Sequence, residues 1–183
     1  MTRPLRKDAA RRRDALRRAA ATEFAQNGLD VPLEAIAERA GVGRATLYRN
    51  FADRDQLVLA VFSAEIDALG ERMRQLEGGD AFFHFIHELA ELLLRNTALS
   101  AALRQARLRE AMPELRRKII AAGAAALALS QAAGKLRGDL GAEDIRIIAA
   151  LLGAGLETAD PSEREAISRR TRALVLDGLR LRP

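Results

Sequence analysis

Residues 33–51 read LEAIAERAGVGRATLYRNF, and this stretch decides the fold. Two short segments with helical spacing of apolar residues flank Gly41-Val42-Gly43. Two helices joined by a three-residue Gly-containing turn have the spacing of a helix-turn-helix. Ile36, Ala40, Val42 and Leu47 are predicted to form the small core between them, with Phe51 closing the second helix. Ala37 must be small because the second helix crosses close to it, and Gly41 permits a left-handed turn residue. The second helix then projects Gly43, Arg44, Ala45, Thr46, Tyr48 and Arg49 outward. A helix presented in this way fits a major groove roughly 12 Å wide.

Outward from this motif, everything reads as helix. Strand-like alternation is absent and β-branched residues are sparse. A first helix is predicted over residues 8–26, with Asp8 as its cap and Ala9, Leu16, Ala19, Ala20 and Phe24 on its apolar stripe. Asn27-Gly28 ends it. Residues 1–7 are expected to form a disordered basic arm in the absence of DNA. Pro32 opens the second helix, 33–40, and the third runs over 44–50. Asp53 caps a long helix over 54–76, which Gly78-Gly79 ends, and that glycine pair reads as the best domain boundary in the chain. Beyond it, with Asp80 as a cap, helices are expected over 81–96, 98–111, 113–133, 142–156 and 162–179.

The chain of 183 residues carries 30 Lys+Arg against 25 Asp+Glu, and the excess is local. Residues 1–18 hold eight basic and two acidic residues, whereas 57–183 hold 18 and 17. Only three cations are lysine, so Arg abundance reflects coding bias as readily as a nucleic-acid partner, and its position carries more weight. An Arg-rich helix face is also what a merely solvated face looks like. With 49% hydrophobic residues the chain can bury a core, which excludes a disordered polyelectrolyte. The absence of Cys excludes a disulfide scaffold and thiolate chemistry, and fits a reducing cytoplasm. The longest uncharged run, residues 119–134, is Ala-rich and shorter than the about 20 strongly apolar residues of a membrane span.

The motif order is specific. Phe24-Ala25-Gln26-Asn27-Gly28, Ile36-Ala37, Ala40-Gly41-Val42, Thr46-Leu47-Tyr48 and Phe51 together resemble the N-terminal domain of the TetR family of bacterial transcriptional regulators. Residues 53–57, DRDQL, resemble the start of that family's fourth helix, and the likeness covers about residues 8–64. In the C-terminal half, residues 130–137 and 176–179 resemble the family's helix ends only in style.

The resemblance implies an all-α protein. A helix-turn-helix DNA-binding domain over 1–56 would be joined by the long helix, acting as a lever, to an effector-binding and dimerisation domain over 57–183. It implies that Arg44, Thr46, Tyr48, Arg49 and Asn50 lie on the recognition helix. Thr46 and Tyr48 would contact phosphates, Arg44 would read guanine, and Arg54 would pin a phosphate. Ala45 stands where Gly is frequent and can touch a thymine methyl. Val31-Pro32 stands where members often carry a Ser or Thr cap that bonds a phosphate. Tyr48, the single tyrosine, reads otherwise as a packing aromatic at a helix end.

In the second half, His84, His87, Glu88, Glu91 and Arg95 form one polar wedge on a helix whose other positions are apolar. His84 can pair with Glu88, and His87 with Glu91. Three readings stand: a solvated stripe, a polar lining for an effector cavity with Phe83, His84, His87 and Glu91, or a metal site completed by a carboxylate. The cavity itself is expected to be mainly apolar. No Ser/His/Asp triad, phosphate loop or Gly-rich dinucleotide turn is found. An enzyme and a cofactor are therefore not expected. The family resemblance implies a homodimer built by the last two helices as a four-helix bundle, with Ile148, Leu152, Gly155, Ile167, Leu174 and Val175 at the interface.

The resulting expectation is a cytoplasmic homodimeric repressor that binds a near-palindromic double-stranded operator and is released by a small molecule, with no membrane role. Two other classes compete: an architectural or RNA-binding helical protein that uses its basic N-terminus without sequence specificity, and a small helical enzyme whose His/Glu wedge holds a metal.

Overall fold

The glycine-centred turn forms as the local sequence dictates, and the rest of the N-terminal unit is assembled around it. The computed structural model describes residues 3–97, 111–156 and 159–181. The described residues form helices α1 (Arg3–Asn27), α2 (Leu33–Arg39), α3 (Arg44–Asn50), α4 (Arg54–Arg74), α5 (Ala81–Arg95), α6 (Met112–Ala132), α7 (Asp144–Ala154) and α8 (Arg164–Leu179). No strand is present among them; one isolated antiparallel bridge joins Leu136 and Arg180. The helix expected over 98–111 falls, but for its last residue, outside the described residues. No helix of the described residues is long and apolar enough to cross a membrane.

The chain packs as two units, Met1–Phe62 and Ser63–Pro183. The division falls inside α4, later than the 56/57 boundary drawn from sequence and earlier than Gly78-Gly79. In the first unit, α1 packs against both α2 and α3, which also touch each other. The shared core is Leu16, Ala19, Ala20 and Phe24 of α1, Val31, Ile36 and Ala37, and Leu47 and Phe51, all buried. Leu57, Val58, Val61 and Phe62 of α4 are buried as well.

Two expectations for α1 are corrected. The helix starts at Arg3 rather than Asp8, so Asp8 does not cap it and residues 3–7 are helical rather than a free arm. Leu, Arg and Lys favour helix, and Pro4 sits in the first turn, where its missing N–H is harmless. Ala9 is exposed, so the apolar stripe begins at Leu16.

In the second unit α5 is central and packs against α6, α7 and α8. Its buried face carries Phe82, Phe85, Ile86, Leu89, Leu92 and Leu93. The rings of Phe82 and Phe85 stack with centroids 5.6 Å apart. Gly123 of α6 lies where Phe85 approaches: a Cβ there would stand 2.7 Å from the ring, so only glycine admits this helix spacing. Asp80 does not cap α5 with its side chain. The hydroxyl of Ser130, buried on α6, accepts from the Phe82 N–H at 2.9 Å instead. A free N–H at a buried helix start is costly, and a neighbouring helix here supplies its acceptor.

Candidate nucleic-acid interface

Helix α2 ends at Ala40, and Gly41 follows with φ +68°. The Gly41 N–H donates to Glu38 O and the Val42 N–H to Ala37 O, both at 3.0 Å. This pair of bonds is the Schellman stop, which needs a left-handed residue at the Gly41 position. The chain then extends through Gly43, whose carbonyl accepts from Thr46 N–H at 2.8 Å and starts α3.

Seven residues make too short a helix to persist alone in water. The fold holds α3 at both ends of its inner face. Leu47 and Phe51 are fully buried beneath it. Arg13 of α1 donates from Nη1 to Asn50 O at 2.5 Å, with its guanidinium 4.3 Å above the Phe51 ring. A cation on the last carbonyls of a helix also opposes the negative end of its dipole.

The outward face is the one the sequence predicts. Gly43, Arg44, Ala45, Tyr48 and Arg49 are exposed, while Thr46 and Asn50 are half-buried. Tyr48 keeps 41% of its surface accessible, against the reading of it as a packing aromatic. The Arg44 guanidinium lies 5.6 Å from the Tyr48 ring centre, and its Nε forms an ion pair with Glu34 at 3.1 Å. Arg49 donates to Thr46 Oγ1 at 3.2 Å. Asn50 Nδ2 turns back onto Thr46 O at 2.7 Å and is spent on the helix end.

Among the predicted core residues, Ile36, Ala37, Leu47 and Phe51 are buried, Ala40 and Val42 half-buried, and Gly41 exposed. Arg54, expected to pin a phosphate, is engaged within the fold through one nitrogen. Its Nη1 donates to Leu29 O and Val31 O, tying down the loop before α2. Pro32 gives α2 no side-chain cap, so this internal bond network fixes the entry to α2 instead. Asp53 Oδ1 accepts from Gln56 N–H at 2.8 Å and caps α4 as its sequence position predicts.

Two carboxylates of this unit are held below their ordinary range. Asp14 is lowered chiefly by hydrogen bonding from Arg17. Glu23, nearly buried, is lowered first by hydrogen bonding from Arg39 and then by Asn27. The Arg39 bond ties α2 to α1.

In the second unit the four residues expected to line an effector cavity are not gathered. His84 and His87 are exposed. Phe83 is half-buried beneath Arg180, whose guanidinium lies 4.9 Å from the ring centre. Glu91 alone of the four lines a cavity, which is ionic rather than mainly apolar. The expected His/Glu pairs are replaced: Glu88 pairs with Arg72 at 2.9 Å and Glu91 with Arg172 at 2.8 Å. Guanidinium groups from neighbouring helices reach these carboxylates with a fixed charge and a forked donor geometry. No group of three or more His, Asp or Glu among the described residues could hold a metal ion.

The residues expected at a dimer interface also divide. Ile148 and Leu152 are buried in the protomer's own core. Gly155 and Ile167 meet each other: a Cβ on Gly155 would lie 2.8 Å from Ile167 Cγ2, so this glycine sets the α7–α8 approach. Leu174 is 56% exposed, and beside it on α7 Leu151 is 52% exposed, a residue sequence reasoning passed over. With Val175 and Thr171 they line an apolar groove on the outside of α7 and α8.

The family model for bacterial regulatory proteins of the tetR family matches residues 16–61. A second, the C-terminal domain of SbtR-like transcriptional regulators, matches residues 77–181. A TetR transcription regulatory protein from Mycobacterium vanbaalenii is 31% identical, with 97% of this chain and 100% of that one covered and a TM-score of 0.69. A TetR regulator from Streptomyces coelicolor is 30% identical over 93% and 99% of the two chains, with a TM-score of 0.68.

The chain belongs to the TetR family.

It is therefore a helix-turn-helix DNA-binding transcription regulator and not an enzyme. The fold alone is shared further, with a TetR-family regulator from Pectobacterium atrosepticum, at 20% identity over all of both chains and a TM-score of 0.74. No curated protein matches.

Proposed function

We propose that this TetR-family regulator is a cytoplasmic homodimeric repressor that reads a near-palindromic operator through α3 and leaves it when a small molecule binds the second unit. The observation that carries the reading is the outward face of α3, where Arg44, Ala45, Tyr48 and Arg49 stand exposed on a helix locked from beneath. Arg44 is the base-reading residue in this proposal. Glu34 faces its Nε, which leaves both terminal nitrogens to donate to guanine O6 and N7. Tyr48 and Thr46 serve phosphates, which position the helix without reading sequence. Arg54 serves the fold rather than a phosphate, and Asn50 the helix end.

Dimerisation is assigned to the exposed apolar side of α7 and α8, with Ile147, Leu151 and Leu174 as its contacts. Leu174 and Val175 stay from the sequence-based set, while the buried Ile148 and Leu152 support that face from within. Two recognition helices would then sit in successive major grooves, about 34–36 Å apart.

The test is selection of bound fragments from genomic DNA, followed by variants on the selected site. Arg44→Ala should cost about 1–3 kcal/mol and relax one base step. Tyr48→Phe should weaken selected and random DNA alike. Binding with no preferred fragment would instead favour the non-specific architectural class. Leu151→Glu with Leu174→Glu should give a monomer in sedimentation; an undisturbed dimer would remove this interface.

A further inference from the structure

Helices α5 and α8 pack against each other, and beside the first turns of α8 they border a half-open cavity of about 360 Å³. Its volume is at the small end of ligand pockets, which run from about 300 to 1,000 Å³. Arg164, Ser168 and Arg172 recur every four residues along α8 and so share one face of it. Arg169 joins them from the same helix.

The charges do not cancel. Glu91 and Arg172 form a half-buried ion pair at 2.8 Å, so that guanidinium is already held. Glu165 offsets one of the two others, and the lining itself keeps one net positive charge, with the exposed Asp160 interacting with Arg164 from just outside it. The Arg164 Nε–H is buried and has no hydrogen-bond partner among the described residues. A buried donor in that state lacks the acceptor it needs. Ser168, almost fully buried one turn further on, adds a hydroxyl. Leu94 and Pro161 give the cavity an apolar side.

We propose that this cavity binds a small organic carboxylate. The lining's one net positive charge matches a monoanion, whereas phosphate, partly dianionic near neutral pH, would face Glu91 and Glu165 with less compensation. A planar carboxylate suits the fork of a guanidinium, and Leu94 and Pro161 receive its hydrocarbon part. The proposal names the chemical class of the effector, and rests on the regulatory reading only for the consequence at the operator.

Calorimetry on the full chain without DNA tests it separately from operator recognition. Acetate and benzoate are titrated against acetamide and benzamide, with inorganic phosphate as a third arm. Saturable binding of a carboxylate and none of its amide is expected. Arg164→Gln should weaken it about tenfold or more, and Arg169→Gln, at an exposed position on the same cavity, should weaken it too. Arg164→Lys keeps the charge but lacks the Nε donor and should fall between. Arg146→Gln, on the exposed side of α7, should bind as wild type. No saturable carboxylate binding, equal binding of the amide, preference for phosphate, or undiminished affinity in both Gln variants would overturn the proposal. Wild-type affinity in Arg164→Lys would remove the Nε assignment.

Discussion

Gly41→Ala isolates what the turn contributes. Gly41 sits at φ +68°, and a Cβ built there meets nothing within 4 Å. Steric clash with neighbours is therefore absent, and the cost is the backbone conformation alone, about 1–2 kcal/mol for an L-residue in the left-handed region. Gly43 is the control. It is also open to a Cβ, but its φ is −73°. Alanine there gains about 0.4–1 kcal/mol through the unfolded chain but gives up the N-cap preference for Gly over Ala, so little net change is expected. Tyr48, the single tyrosine in a chain without tryptophan, lies on α3 and reports on the first unit. Its fluorescence through a urea titration should show the midpoint falling for Gly41→Ala and not for Gly43→Ala, with unchanged slope. Gly41→Asn should lie between, because Asn tolerates the left-handed region. If both alanine variants unfold at the same urea concentration, the Schellman turn is not what fixes α3.

Three further outcomes follow from the contacts. Arg54→Gln should lower stability by about 1–3 kcal/mol, since two buried-side carbonyls lose a charged donor, and should leave the salt slope of DNA binding unchanged; a slope reduced by about one would restore Arg54 as a phosphate contact. Glu23 has a lowered folded pKa, so its bonds to Arg39 and Asn27 contribute stability above its unfolded pKa of about 4.3, and that contribution is lost as pH falls toward the folded value. Unfolding titrations from pH 7 to 3 should therefore converge for wild type and Glu23→Gln at the acid end; parallel curves would show that Glu23 is not linked. Gly123→Ala should destabilise the second unit by about 1–3 kcal/mol through the Phe85 ring, and Phe85→Leu in the same chain should recover part of it; a stabilising Gly123→Ala would mean that helix propensity outweighs the contact.

The first unit was legible because its signals are local. The turn glycine, the flanking apolar spacing and the Asp53 cap all act within a few residues, so sequence alone placed α2 and α3 closely. The misreadings concern where long side chains go. Arg54 could reach outward or inward, and only the tertiary position of Leu29 and Val31 decides. In α7, residues 144–154 read DIRIIAALLGA, with apolar residues on every face. Periodicity cannot then separate Ile148 and Leu152, which the protomer buries, from Ile147 and Leu151, which it leaves exposed. The same ambiguity hid Gly123, whose use depends on a ring thirty-eight positions away in sequence. The cavity beside α8 could not be read either, because Glu91 and Arg172 meet only in the folded chain.

These placements separate two jobs that the abundance of arginine had blurred. Arg13, Arg39 and Arg54, on α1, α2 and α4, are each bonded to an oxygen of the first unit, Arg13 and Arg39 from exposed positions and Arg54 from a half-buried one. Arg13 holds the end of α3, while Arg39 and Arg54 hold α2 and the loop before it; α2 and α3 are both seven-residue helices too short to persist alone. Arg44 and Arg49 remain on the outside, with Arg44 held by its exposed pair with Glu34 and by the face of Tyr48. An exposed pair of that kind is weak, about 0–1 kcal/mol, so releasing Arg44 to a base costs little, whereas releasing Arg13 would loosen the end of α3. The proposed reading face is thus small, and under that proposal its affinity for one site over another would come from a few side chains. In the proposed function, exposed basic residues of α1 such as Arg11 and Arg12 would supply attraction that every duplex shares.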